Sequence, residues 1–274
     1  MNVRLQIVGC ALGVAASTAL ASLTQPPVPT DRSLLKDVQP MHERDPARAT
    51  VFTSRGVQLV NDGKFDAAID QFRRSAACDP SNAGTFVNLA YCLDKLGRYD
   101  QAIAELERAE KLDPGNIMIY VNWGNSLINL KKFDDALVPL QKAVALDATN
   151  VMVRLNLAAA FTNLGRHKDA AAELAQAAAA DPKNPGVFFN WAIVLSTLGH
   201  PDQAIEKYEQ VIKLDPKNLP AYFNCAALYE KVGNLAAATA KIEAAVVVAP
   251  DNTTLKDILT KLKEAQRLAS PVAR

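Results

Sequence analysis

A proline, a glycine and an alanine return in this chain at a fixed interval of 34 residues, six times in succession. Pro80, Pro114, Pro182, Pro216 and Pro250 share one phase, with Ala148 in the remaining place. Gly63, Gly97, Gly165, Gly199 and Gly233 share another, with Lys131 as the exception. The alanine column Ala68, Ala102, Ala136, Ala170, Ala204 and Ala238 is unbroken. A period of this length is the mark of a stack of supersecondary units, each burying its apolar face against its neighbours. Such a chain is built to present a surface.

With Ala49 as the first position, the units are 49–82, 83–116, 117–150, 151–184, 185–218 and 219–252. Each holds two stretches of helical periodicity. In the second unit these are Phe86, Leu89, Ala90 and Leu93, then Tyr99, Ala102, Ile103, Leu106, Ala109 and Leu112. The glycine ends the first stretch, where the backbone turns left-handed. The Asp-Pro pair ends the second, because proline cannot continue a helix and constrains the residue before it. Asn82, Asn116, Asn150, Asn184, Asn218 and Asn252 are placed to cap the helix that follows. Asp45-Pro46 reads as an N-cap followed by a first-turn proline. Lys131 and Ala148 are expected to loosen the turns of the third unit.

The run Phe86-x2-Leu89-Ala90-x2-Leu93, Gly97, Tyr99, Ala102-x3-Leu106 and Pro114 resembles the tetratricopeptide (TPR) repeat, and the other units vary it. Arg154 stands where an aromatic is usual, and Pro201 where Tyr or Phe is. The resemblance spans 204 of the 274 residues and implies an all-α fold, a right-handed superhelical solenoid of TPR helix-turn-helix repeats. Residues 253–268 read as a capping helix, with Leu255, Ile258, Leu259 and Leu262 as its apolar stripe, and 269–274 as a flexible tail.

Ahead of the array, Arg4, the apolar run Leu5 to Ala16 and Ala19-Leu20-Ala21 form the pattern of a signal peptide over residues 1–21. The chain is then expected to be exported, periplasmic or secreted. An uncleaved membrane tether through residues 5–21 and lipidation at Cys10 stay open. Residues 22–48, with five prolines, read as a linker. The net charge of +1 argues against a nucleic-acid ligand, which calls for a basic stripe. Cys78, Cys92 and Cys225 are too few and too scattered for a disulfide framework; a Cys78–Cys92 pair stays open beside a role as core filler.

The candidate site follows from the helical wheel. On each first helix the core falls at positions four, seven, eight and eleven, which puts position six on the far side. That position is Asn88, Asn122, Asn156, Asn190 and Asn224 in consecutive units. The TPR resemblance implies that this face lines a concave groove. A ladder of amides there could pair with both polar groups of a peptide backbone, whatever the peptide's sequence. Beside it, position five supplies Val87, Val121, Leu155, Phe189 and Phe223, which either floor the groove or pack successive first helices together.

The carboxylate clamp of chaperone-binding TPR domains needs Lys at position five and Asn at position nine of one first helix. Thr53 and Val57 hold those places in the first unit, and no unit carries Lys at position five. No phosphate loop, metal-ligand spacing or nucleophile elbow is present, and His42, His167 and His200 are far apart in sequence. The expectation is a non-catalytic adaptor without cofactor, metal or small-molecule substrate, binding an extended segment of another protein. A scaffold that assembles through its outer or end surfaces is the alternative.

Overall fold

The computed structural model describes residues 44–269, and every regular element among them is an α-helix. The signal segment 1–21, residues 22–43 of the linker, and the tail from Ser270 lie outside the described residues. The described residues divide into two compact units, 44–148 and 149–269. None of their helices is long and apolar enough to cross a membrane.

The first unit holds α1 (Pro46–Asn61), α2 (Phe65–Cys78), α3 (Ala83–Lys95), α4 (Tyr99–Leu112), α5 (Ile117–Asn129) and α6 (Phe133–Leu146). They pair as hairpins α1–α2, α3–α4 and α5–α6, with the first helices of successive hairpins also in contact. Residues 46–48, assigned above to the linker, belong to α1. Asp45 accepts a hydrogen bond from the Arg48 N–H at 2.9 Å, and Pro46 has no N–H to leave unmet.

Each hairpin closes by setting a small residue against a large one. A methyl group on Gly56 would sit 2.5 Å from the Phe72 ring, and one on Gly124 would sit 2.5 Å from Leu140. Ala68, Ala102 and Ala136 are fully buried at the same crossings. The alanine column is therefore a spacing device: helices approach closely only where the side chain is short.

The second unit holds α7 (Val151–Asn163), α8 (His167–Ala180), α9 (Pro185–Thr197), α10 (Pro201–Leu214), α11 (Leu219–Lys231), α12 (Leu235–Val248) and α13 (Thr253–Ala269). Ala158, Ala192 and Ala226 take the places of Gly56 and Gly124, and Leu174, Tyr208 and Ile242 are the large residues. Helix α13 packs Leu255 and Leu262 into a cluster with Tyr222, Ala226 and Ile242, and Ile258 and Leu259 lie against it. Ala269, placed in the tail by sequence, is the last residue of α13.

The turns correct the reading of the third repeat. After α3, the Gly97 N–H donates to the Asp94 carbonyl and the Arg98 N–H to the Leu93 carbonyl, both at 2.9 Å. This is the paired closure that a left-handed residue permits, and Gly97 has φ 72°. After α5, Lys131 adopts φ 60°, and Lys131 and Lys132 donate to Ile128 and Leu127, again at 2.9 Å. The turn is not loosened; a lysine is held in a conformation that costs a side-chain-bearing residue about 1–2 kcal/mol. Asp147, before Ala148, keeps the extended geometry (φ −145°, ψ 97°) of Asp113, which a proline follows. Replacing Lys131 by glycine is expected to raise stability by about 0.5–1 kcal/mol, after the glycine's extra unfolded-state entropy is subtracted. A melting curve that moves down instead of up by roughly 2 °C would show that the lysine is not strained.

Five of the six closing asparagines cap as expected. Asn116, Asn150, Asn184, Asn218 and Asn252 accept from the N–H groups of Met118, Val153, Gly186, Ala221 and Leu255 at 3.0–3.2 Å. Asn82 makes no such bond at the start of α3. Pro201, where an aromatic is usual, opens α10 as its first residue. Cys78, Cys92 and Cys225 are buried thiols joined by no disulfide. Burial pushes Cys92 and Cys225 up to about 12, which keeps both protonated at neutral pH.

Candidate functional site

The asparagine column does not form five equivalent rungs. In the first unit, Asn88 on α3 and Asn122 on α5 are half-buried. In the second, Asn190 on α9 is half-buried, while Asn156 on α7 is 2% exposed and Asn224 on α11 is fully buried. Asn224 Nδ2 donates to the Tyr208 hydroxyl at 3.1 Å, which assigns it to the junction between α10 and α11. Tyr208 is the one phenol among the large crossing residues, and its hydroxyl needs a partner once buried. Asn224 therefore satisfies the core and leaves the ladder; Asn156, with almost no exposed surface, leaves it too.

The fifth position is more buried than a groove floor would be. Val87, Val121 and Phe189 are at most 8% exposed, and only Leu155 and Phe223 keep intermediate exposure. Phe189 meets Tyr208 edge-on, with centroids 5.5 Å apart, and Leu155 packs against the same cluster. Packing within the hairpin stack accounts for most of this row.

Helix α5 carries a second row of amides that the column of sixth positions hides. Asn122, Asn125 and Asn129 recur at i, i+3 and i+7, which sets them on one stripe of the helix. The side-chain oxygen of Asn125 is buried and has no hydrogen-bond partner. Next to this stripe, Asp94 at the end of α3 accepts from the Ser126 hydroxyl at 2.8 Å and from the Asn129 side chain. Burial pushes the Asp94 carboxyl above the usual range, and these hydrogen bonds and the Lys95 charge pull it part of the way back. Tyr91, one turn earlier on α3, stands edge-on to Phe65 with the Lys95 ammonium 5.2 Å from its ring centre. Asn122 thus gains neighbours along its own helix instead of across the stack.

The three-residue spacing of Asn122 and Asn125 was visible in the sequence as a within-helix signal. Comparing only equivalent positions of successive repeats passed over it. For catalysis the arrangement offers little: His167 and His200 open α8 and α10 at separate turns. Among the described residues no three His, Cys, Asp or Glu side chains come together as a metal-binding group.

Two models of the tetratricopeptide repeat match the sequence, one over residues 59–120 and 127–187 and the other over 198–233, together more than half of its length. The chain belongs to the tetratricopeptide repeat family. Curated proteins give no match. Among solved structures, this TPR chain is similar to PilW, described as a widely conserved type IV pilus biogenesis factor. That match has a TM-score of 0.66 and 19% identity, and covers 77% of this chain and 98% of that one. YrrB, described as a TPR protein with an unusual peptide-binding site, matches with a TM-score of 0.57 and 21% identity over 70% and 97%. MamA from Desulfovibrio magneticus RS-1 matches with a TM-score of 0.58 and 17% identity over 63% and 97%. At these identities the likeness is one of fold.

Proposed function

We propose that this TPR chain is a non-catalytic interaction scaffold, and that the first-helix face of residues 44–148 holds an extended segment of another protein. The supporting observation is the unpartnered Asn125 side-chain oxygen, buried between Asn122 and Asn129 on one stripe of α5. A buried polar atom without a partner costs about 1–3 kcal/mol, and a ligand backbone N–H would relieve it. Asn122 and Asn129 lie about 10 Å apart along the helix. That distance matches three residues of extended chain at about 3.3 Å each, so the three amides can address alternate backbone groups. Half-buried Tyr91 adds an apolar surface for one ligand side chain. The peptide-binding description of YrrB agrees with this reading.

The test is affinity capture from an extract of the source organism, with the full chain as bait beside an Asn122→Ala, Asn125→Ala variant. Circular dichroism first verifies that the variant is folded. Losing two amide contacts should lower recovery of a bound partner about tenfold or more. Equal recovery by both baits would end the groove reading and favour assembly through other surfaces, which light scattering at rising concentration would then reveal.

A further inference from the structure

Trp123 and Trp191 occupy the same repeat position, two periods apart, and one of the differences between their surroundings bears on the ring face. Trp191 is covered by Lys207, whose ammonium lies 4.6 Å from the ring centre. The residue equivalent to Lys207 in the third repeat is Pro139. Proline has no side chain long enough to cross to the first helix, and Trp123 is left with no cation on its ring. Above it is a cavity of about 300 Å³ between α4 and α6, with Trp123, Leu127 and Pro139 as its apolar base. The indole N–H of Trp123 has no partner among the described residues.

The rim of this cavity has a charge sign. Asp100, Glu107 and Asp135 stand on it with Lys132 and Lys142. Both lysines are engaged: Lys132 with Asp100 at 3.7 Å, and Lys142 with Glu110, outside the cavity, at 2.7 Å. Glu107 and Asp135 carry no ion pair among the described residues. Pro139 also has no N–H to give the Asp135 carbonyl, so that acceptor is released from the helix ladder beside the same opening. An open tryptophan face, two uncommitted carboxylates and a spare carbonyl are what a cation bound over an aromatic ring requires. Val138, 59% exposed at the rim, offers contact for the aliphatic stem of the side chain that brings it.

We propose that this cavity is a docking site for a lysine or arginine side chain on a segment of a partner protein, with the charged group over Trp123 as Lys207 lies over Trp191. The site is on the second-helix side of the hairpins and does not depend on the amide stripe of α5. Its occupant is fixed by charge complementarity and by the chain's own intramolecular version of the contact.

The two indole N–H resonances of the full chain provide the readout, assigned with a Trp123→Phe variant. The probe is the capped peptide Gly-Arg-Gly-Lys-Gly, with Gly-Glu-Gly-Asp-Gly as control. The basic peptide should move the Trp123 resonance saturably and leave Trp191, already covered, in place; the acidic peptide should move neither. Pro139→Lys installs the missing intramolecular cation at a position where lysine suits a helix better than proline. It should fold with a raised melting temperature and weaken the basic peptide about tenfold. The Asn122→Ala, Asn125→Ala variant should keep the full response. Absence of a Trp123 shift, equal shifts at both indoles, undiminished binding by Pro139→Lys, or loss of the response in the asparagine variant would each overturn the proposal.

Discussion

Phe72→Ala is expected to lower the unfolding free energy by about 4 kcal/mol. Phe72 is fully buried and is one of the largest such side chains in the protein. Its ring is held against α1, where Gly56 provides the recess: a Cβ there would lie 2.5 Å from one ring carbon and 2.7 and 2.8 Å from two others. The pair makes a sign-reversing test. Gly56→Ala alone should destabilise by about 1–3 kcal/mol through overpacking, although alanine is the better helix former by about 1 kcal/mol. In the Phe72→Ala background the obstruction is gone, and the same Gly56→Ala change should stabilise. Urea unfolding of the four chains gives the coupling directly. If Gly56→Ala costs the same in both backgrounds, the recess is not what holds the ring.

This recess explains why the fold could be read so far from sequence. A short residue at Gly56, Ala90 or Gly124 facing a long one at Phe72, Leu106 or Leu140 recurs with the period. A period that carries core geometry carries helix boundaries with it. The turns were legible through the left-handed residue, yet the substitution at Lys131 was misread because a residue's preference was taken for a requirement. Five glycines fix the shape of the turn, and the sixth hairpin connection adopts it at a local cost (φ 60°), since the packed helices on either side leave no other path.

The candidate site was less legible, for a geometric reason. A helical wheel divides one helix into a core side and a far side. A first helix in a hairpin stack packs against more than its own second helix, so position six is not uniformly open: Asn156 and Asn224 are buried, while Asn88, Asn122 and Asn190 keep intermediate exposure. Asn224 shows the result: its amide is spent on Tyr208 of the preceding hairpin. The same blindness hid Trp123. Its type and position match Trp191, but Pro139, sixteen residues later, stands where Lys207 covers the other ring.

That repeat position, which holds Pro139 and Lys207, also holds Glu173, and there the expected effect is large in the opposite sense. Where Phe52, Phe86, Tyr120, Phe188 and Tyr222 occupy the other repeats, the fourth carries Arg154, only 6% exposed. Its guanidinium Nη1 donates to the Glu173 carboxylate at 2.7 Å, and the Glu173 side chain is itself 19% exposed. Taking the carboxylate away leaves a buried charge short of its counterion, so Glu173→Ala should lower stability by about 3 kcal/mol or more. Replacing both partners by apolar residues removes the desolvation cost together with the attraction. Arg154→Phe with Glu173→Leu restores the aromatic of the other repeats and should fold within about 1 kcal/mol of the parent, or more stably. Chemical denaturation of the single and double variants separates the cases. A double variant as unstable as Glu173→Ala would mean that Arg154 holds the fourth repeat through its own packing and not through the ion pair.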